Sequence, residues 1–590
     1  MLEEHQFDKI VFNKYFLFLL FFIFHFVLIF QGFDVTDYGY HFTNQYLLLD
    51  YPFSIGDTNA MVILSDFVGG IWLHLIGGPS LFWAKLGGVL LYSLCIFVVF
   101  SILENYFPKR DVFICVLISS LFTTMIGSTY IHYFSFPAFL LIIFLWVFNK
   151  ILLSPRDSRE FKVYSVLLGT LFPLICLSRI PLVLSIIVIP LIILYYVFTK
   201  RPLLGVIEAI KYAAFGFLVS IGLLAVIFYQ LNILPDYING IVSALSQSAS
   251  GDVQTFNPTH TFSALVAGYI GDIFIISLAV ILFFVGIYVL RNLNRVIAQR
   301  WINCLLVLLL ITVLAITFYT SRISFVAINL SNAFIGLILI FMGIYFYVDR
   351  GENKNLTLLL LASAGLMLIN PIGSNCGMLK SLYGFWVALP LALFCMRSIE
   401  NRVNNHTIKY LSSFIPTLLI LMFVSAIFFH GVYIYRDDPN RLHLTHHFQS
   451  PQLSGIYSTE DRVMVTDELI SVIEEYSSPG DYLLLVNGIP MFHYLTETRP
   501  ALGEPWICLL SKERIIELEE QREEDGEIQP VLFIYSKVNT RDPYWPHSTI
   551  PISVSDQEKL DYFKMRYIEQ LNYSHIWENE AFAVYIFPYE

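Results

Sequence analysis

The feature that most constrains this chain is a series of long stretches almost free of charge. The first is YFLFLLFFIFHFVLIFQ, from Tyr15 to Gln31. Further apolar runs follow at roughly 81–103, 111–128, 135–149, 161–177, 181–198, 207–230, 264–290, 301–320, 326–347, 355–370, 381–396 and 410–430. A helix rises about 1.5 Å per residue, so about 20 apolar residues cross a hydrocarbon layer of about 30 Å. The runs therefore predict about 13 spans, several near the short limit for crossing. Composition agrees: charged residues are 14% of the chain, against about 25% in ordinary soluble proteins. The first run has no small-residue cleavage site after it and reads as an uncleaved anchor.

The loops give an orientation. Alternate connections carry Lys109 and Arg110; Lys150, Arg156, Arg159 and Lys162; Lys200 and Arg201; Arg291, Arg295 and Arg300; Arg350 and Lys354; Arg397, Arg402 and Lys409. The intervening loops are poor in basic residues. The positive-inside rule then predicts a cytoplasmic N-terminus, with the loop beginning QGFDVTDYGYHF on the opposite side. An odd number of spans puts residues 431–590 on that side too. This tail has 27 Asp and Glu against 12 Lys and Arg. So acidic a surface suits neither nucleic acid nor anionic lipid. Five of the seven cysteines lie in apolar runs, which leaves only Cys376 and Cys508 outside them and no disulfide framework.

Residues 1–430 thus read as a transmembrane module with a large first outer loop at 32–80. The apolar stretch within that loop is too short and interrupted to cross, and reads as an interfacial or re-entrant helix. Residues 431–590 read as a small α/β domain. Helical periodicity runs through STEDRVMVTDELISVIEEYS and KERIIELEEQREEDGE, while DYLLLVNG, PVLFIYS and AFAVYIFP read as strands. A layered sheet with flanking helices is the economical arrangement.

The candidate chemistry lies in isolated charges near the outer helix ends. Asp34 and Asp37 stand just past the first span, with Asp57 and Asp66 later in the same loop. The cations are Lys85, Arg179 in LSRIP, Arg322 in TSRIS and Lys380 in GSNCGMLKS. One reading makes these snorkelling cations and solvated or capping aspartates. The other converges the cations on a phosphate, which suits arginine's planar fork, while an aspartate faces the reacting atom. His132, in TYIHYFSFP, belongs to an interfacial aromatic turn or to the same site. His443, His446 and His447 have the i, i+3, i+4 spacing of a metal-binding helix, although a domain–membrane junction accounts for them as well. The chain has no Walker loop, no GxGxxG opening a helix, no HExxH and no nucleophile elbow.

The order of these parts resembles the GT-C superfamily of membrane glycosyltransferases, the protein mannosyltransferase and aminoarabinose transferase-like enzymes. The resemblance covers nearly the whole chain: one N-terminal span, an acidic and aromatic first outer loop, many further spans, and a small outer C-terminal domain. It rests on Asp34-Val35-Thr36-Asp37-Tyr38-Gly39-Tyr40, where the family carries its catalytic aspartate, and on GDYLLLVNGIPMFHYLTETRP from Gly480 to Pro500. No adjacent Asp-Glu pair is present. Asp37 is the favoured base because Tyr38 and Tyr40 follow it, and Asp34 is its partner or co-ligand.

The resemblance implies a GT-C-like fold in a membrane, of the kind found in the bacterial inner membrane. It implies inverting transfer of a sugar from a polyprenyl-phosphate donor to an acceptor lipid, glycan or protein on the extracytoplasmic face. Arg179, Arg322 and Lys380 would hold the phosphate beside His132, Tyr38 and Tyr40, and a divalent metal on Asp34 and Asp37 is an open alternative. Rival readings are a lipid-linked glycan polymerase or ligase and, in a different class, a glycolipid flippase. The polymerase class puts its large outer loop in mid-chain, and transport predicts charges deep in spans and inverted repeats.

Overall fold

The computed structural model describes residues 12–50, 59–126, 129–200, 204–235, 237–242, 310–319, 323–349, 352–372, 377–399, 415–524 and 529–588, with isolated positions between. The expected span at 264–290, apart from Ile270, and the first part of that at 301–320, together with Asp57, Arg322, Cys304 and Cys376, lie outside the described residues.

The chain opens with α1 (Lys14–Leu28), capped by Asn13, whose side chain accepts from the amides of Tyr15 and Phe16. The first loop holds α2 (Asp37–Asp50) and α3 (Ile63–Leu75). Then come α4 (Leu81–Leu103), α5 (Lys109–Thr124), α6 (Ser135–Leu153), α7 (Arg159–Ser178), α8 (Val188–Phe198) and α9 (Leu204–Gln230). After the least-described region follow α10 (Ile323–Asp349), α11 (Lys354–Ile369), α12 (Phe385–Ser398) and α13 (Ile415–Val432).

Among the described residues, 8 helical segments are long and apolar enough to cross a membrane, and 4 shorter apolar helices accompany them. α3, at 13 residues, is too short to cross, as the sequence predicts for the first loop. Burial shows which helices meet lipid. In α4, 72% of the apolar window is buried, whereas in α9 the figure is 17%. A multi-pass membrane protein can leave so apolar a face as that of α9 toward hydrocarbon.

Close backbone contact replaces the hydrophobic effect within lipid. Gly169 of α7 lies against the Ala213 carbonyl of α9, and Gly216 of α9 lies against the Val166 carbonyl of α7. A methyl group at either position would collide. Three polar side chains join other helices inside the bundle. The Thr124 hydroxyl is 3.1 Å from His25 Nε2 and 3.3 Å from His430 Nε2, linking α5 to α1 and α13.

The tail begins with a two-stranded ribbon, β1 (His446–His447) and β2 (Tyr457–Ser458), followed by α14 (Glu460–Tyr476). Next come β3 (Tyr482–Val486), α15 (Met491–Thr496), β4 (Arg499–Pro500), α16 (Lys512–Glu524), β5 (Leu532–Ser536), α17 (Val554–Phe563), β6 (Ser574–Glu578) and β7 (Phe582–Ile586). The 5-stranded sheet has the order β4-β3-β5-β7-β6. β3 runs parallel to β4 and β5, and β7 runs antiparallel to β5 and β6. The three histidines of RLHLTHH do not share a helix. His443 ends a short turn and pairs with Asp438, while His446 lies on β1 near Glu460. The helical metal spacing is therefore not realised, because the segment extends to pair with β2.

Strand alternation sorts the sheet's side chains to two faces. Leu484, Val486, Phe533 and Ala583 face α16 and α17. Leu483, Leu485, Leu532, Ile534, Phe582 and Val584 face α14 and α15, in a core that continues without a break into Phe33, Val35, Tyr38, Phe42 and Tyr46 of the first loop. Tail and first loop therefore share one interior. Gly39 permits the closest approach: a Cβ there would meet the backbone of Met491, whose amide donates to the Val35 carbonyl at 3.1 Å.

A buried polar knot fixes the same junction. Asp437 accepts from the Phe33 amide at 2.7 Å, from the Ser458 hydroxyl at 2.8 Å and from Arg462. Arg462 also donates to the carbonyls of Pro543 and Trp545, so none of its charge is left unpaired. Lys85, expected as an outer cation, instead donates to the carbonyls of Ile29, Gln31 and Gly32, capping the exit of α1.

Arg462→Leu strands a buried carboxylate and is expected to cost about 3–5 kcal/mol in thermal unfolding, with part regained when Asp437→Asn is added. Additive losses in that cycle would show that the two charges are not coupled. Gly39→Ala is expected to loosen the tail, measured as faster proteolysis within 431–590.

Candidate active site

α2 begins where the chain can no longer stay extended. Thr36 precedes the first helical residue, and Asp34 organises the turn: Oδ1 accepts from the Thr36 amide and hydroxyl at 2.9 and 2.7 Å, and Oδ2 from the Tyr38 amide at 3.0 Å. These bonds satisfy donors that a helix start leaves open. Asp34 is 1% exposed. Burial, opposed by Arg436 and reinforced by Asp37, pushes its carboxyl above the usual range.

Asp37 is the first residue of α2, where the helix dipole favours a negative charge. Its Oδ2 accepts from the Tyr435 hydroxyl and lies 3.1 Å from Arg436 Nη2. Arg436 also donates to the Thr36 hydroxyl. Both partners come from the segment just past α13, so residues 398 and 399 positions away orient the first loop's carboxylate.

Asp37 opens onto a cavity of about 110 Å³ whose walls include His41, Tyr130, His132, Tyr133, Phe134, Lys380, Tyr383 and Tyr435. His41 lies one helical turn beyond Asp37, on the same face. The ring centroids of His41 and His132 are 5.9 Å apart. His132 Nδ1 accepts from the Phe134 amide at 3.1 Å, which leaves Nε2 to carry the proton toward Tyr383 Oη at 3.4 Å. Burial drives both imidazoles toward the neutral form. His41 is pushed down to about 4, and His132 lies well below its ordinary value with His41, Lys380 and Arg179 adding to the effect.

Of the residues singled out in the sequence, Asp37, His132 and Lys380 line this cavity. Arg179 stands behind its wall: the guanidinium lies 4.3 Å from the Phe134 ring centroid, as does Lys380 Nζ. Arg179 Nη1 and Nη2 donate to the carbonyls of Asn370 and Ile372, which come from the NPIGSNCG hairpin. Tyr38 packs on Tyr130 with centroids 4.4 Å apart, and Tyr40 faces Trp506 of the tail at 5.9 Å. Neither ring lines the cavity. The sequence reading passed over His41, Tyr435 and Arg436. His41 was legible as the i+4 neighbour of Asp37, whereas YIYRDD just past a span gave no signal of its own.

The described residues do not form a metal site. Asp34 spends both oxygens on the turn, Asp37 is already paired with an arginine, and among the described residues no three His, Cys, Asp or Glu side chains cluster suitably.

Comparison with known proteins finds no matching family model and no matching curated protein. Similar solved structures include ArnT from Cupriavidus metallidurans bound to undecaprenyl phosphate, with 11% identity, 96% of this chain and 97% of that chain covered, and a TM-score of 0.43. The apo state of the same ArnT gives 10% identity, 95% coverage of each chain and a TM-score of 0.44. The oligosaccharyltransferase AglB from Archaeoglobus fulgidus, in complex with an inhibitory peptide and a dolichol-phosphate, gives 12% identity, 89% and 69% coverage and a TM-score of 0.43.

The buried imidazoles give a signed pH dependence. With folded values below the unfolded 6.5, the native state holds fewer protons than the unfolded chain, so stability falls as pH drops from about 6.5 toward 4. Asp34 acts in the opposite sense between its raised value of about 6 and its ordinary 3.8, where the native state holds the extra proton, and so offsets part of that loss below about pH 6. The melting temperature is expected to fall between pH 7 and 5, and less steeply in His41→Gln. A flat profile would contradict neutral burial of these rings.

Proposed function

We propose that the protein is a membrane glycosyltransferase of the GT-C type, moving a sugar from a polyprenyl-phosphate donor to an acceptor hydroxyl on the extracytoplasmic face. One observation carries the reading: a carboxylate, Asp37, and a cation, Lys380, line the same cavity at the junction of tail and bundle. A transferase of this kind needs both, because a proton leaves the acceptor while negative charge grows on the departing phosphate.

In the proposed reaction Asp37 takes the proton from the acceptor hydroxyl as its oxygen attacks the anomeric carbon. The bond from that carbon to the phosphate oxygen breaks, and the lipid phosphate departs with the electron pair. A single displacement inverts the anomeric centre. Lys380 meets the developing phosphate charge, and Arg322 is assigned the same task from its place in the sequence. Arg179 acts behind them, holding Phe134 and the hairpin carbonyls while adding positive potential. Neutral His41 and His132 supply hydrogen bonds without repelling that cation. Tyr435 and Arg436 orient the Asp37 carboxylate, and Asp34 maintains the turn that presents it.

The tail's union with the first loop favours this reading over transport. A helix pinned to the outer domain by one continuous core suits a fixed site better than an alternating one. The acceptor, the sugar and the orientation of the termini are part of the proposal.

Asp37→Asn keeps the shape of the side chain and is expected to lower transfer by about 10²–10⁴-fold, the typical value of general-base help. Asp34→Asn is expected to retain more activity while losing about 1 kcal/mol of stability through the weakened turn. Lys380→Ala should raise KM for the lipid-linked donor. Donor turnover in reconstituted vesicles measures all three, and an unimpaired Asp37→Asn enzyme would remove Asp37 from the base role.

A further inference from the structure

The tail contains a second concavity that the proposed reaction does not use. It lies at the carboxyl ends of the parallel strands β3 and β5, where open α/β sheets commonly bind ligands. Asn487 follows β3, and Val538 to Arg541 follow β5. The opposite wall runs from Ile550 to Ser553 and reaches Asp556, and the crevice encloses about 230 Å³.

Two details mark it as built for a ligand. Asn487 is 7% exposed, and its Nδ2 donates to the Ser536 carbonyl at 3.0 Å. Its Oδ1 is buried without a hydrogen-bond partner among the described residues. Buried acceptors are normally satisfied, so one left open in a crevice wall calls for a donor from outside.

The charges are the second detail. Arg541 Nη2 lies 3.4 Å from Asp556 Oδ2, and Lys559 Nζ lies 3.8 Å from the same carboxylate. Ser553 donates to it at 2.7 Å. The two charges in the lining, Arg541 and Asp556, offset one another, whereas Lys559 is outside the lining and donates to the Cys508 carbonyl. The planar amide, guanidinium and carboxylate stand beside the apolar Ile550. That combination suits a neutral ring bearing several hydroxyls on one edge and C–H groups on its faces.

We propose that this crevice is a carbohydrate-binding subsite that holds a neutral sugar of the acceptor. Its assignment to the acceptor rests on the glycosyl transfer proposed above, whereas sugar binding itself does not. Trp506 connects the two places. Arg541 lies 5.3 Å from its ring centroid and Arg436 lies 5.7 Å from it, and Arg436 pairs with Asp37 at 3.1 Å. A glycan anchored in the crevice has a short path past one indole to the carboxylate.

The test uses the full chain in lipid nanodiscs, free of sugar-based detergent. Glucose, galactose, mannose, N-acetylglucosamine and their common disaccharides serve as probes, read by saturation-transfer NMR. At least one is expected to bind. Arg541→Ala and Ile550→Trp, the latter filling the crevice from its exposed rim, should each weaken it at least 10-fold at unchanged melting temperature. Asp37→Asn should lose transfer yet keep this binding. If no probe binds, if both crevice variants bind like the parent, or if inorganic phosphate displaces the sugar, the assignment is overturned. Retained sugar binding with undiminished transfer by Asp37→Asn would sink the catalytic reading alone.

Discussion

The Asp437–Arg462 pair is the interaction on which the rest of the arrangement depends. Both side chains are at most 1% exposed, so neither charge can be screened by water. In that environment a charge persists only when its partners are fully supplied. Asp437 obtains them from Phe33, Ser458 and Arg462, which belong to the first loop, the ribbon and α14. Satisfying one carboxylate thereby sets three segments against one another. Tyr435 and Arg436 immediately precede it, so the knot that holds Asp437 also delivers their side chains to Asp37. The geometry of the site is a by-product of satisfying a buried charge two residues away.

The shared core explains why α2 can be so polar. Its sequence DYGYHFTNQYLLLD would make a poor membrane helix and a poor isolated one, yet most of it is buried. Tyr38, Phe42 and Tyr46 pack toward the tail sheet, while His41 and Gln45 turn toward the bundle, where Gln45 Nε2 donates to the Ile131 carbonyl at 2.7 Å. Not every group is satisfied. His41 Nδ1 and Asn44 Nδ2 are buried without a hydrogen-bond partner among the described residues. Such groups cost stability, and their clustering around α2 fits a region shaped for chemistry more than for rigidity.

The legible parts of the sequence were those where one local pattern decides the outcome. The apolar runs among the described residues became helices because lipid leaves the backbone no other way to satisfy itself. The short apolar runs in DYLLLVNG, PVLFIYS and AFAVYIFP became strands, with alternate side chains sorted to the two faces of the sheet. Asp37 and His132, both singled out in the sequence, line one cavity. The short elements β4, α15, α17 and β6 carried too little pattern to be read. The isolated cations were legible only as charges. Nothing local distinguishes Lys380, in the cavity, from Lys85, which caps α1, or from Arg179, held by backbone carbonyls behind the wall.

The sequence by itself determined that this chain is a multi-pass membrane protein with an acidic, sheet-containing tail, because hydrocarbon and hydrogen-bond requirements act within a single segment. Only the tertiary structure decided which charges meet. Asp37 finds Arg436 across 399 positions, and His132 finds Tyr383 across 251, through the packing of helices whose order carries no record of those distances. Side-chain identity fixes what a group can do. Its depth, its partners and its protonation state follow from neighbours that only the folded chain brings together.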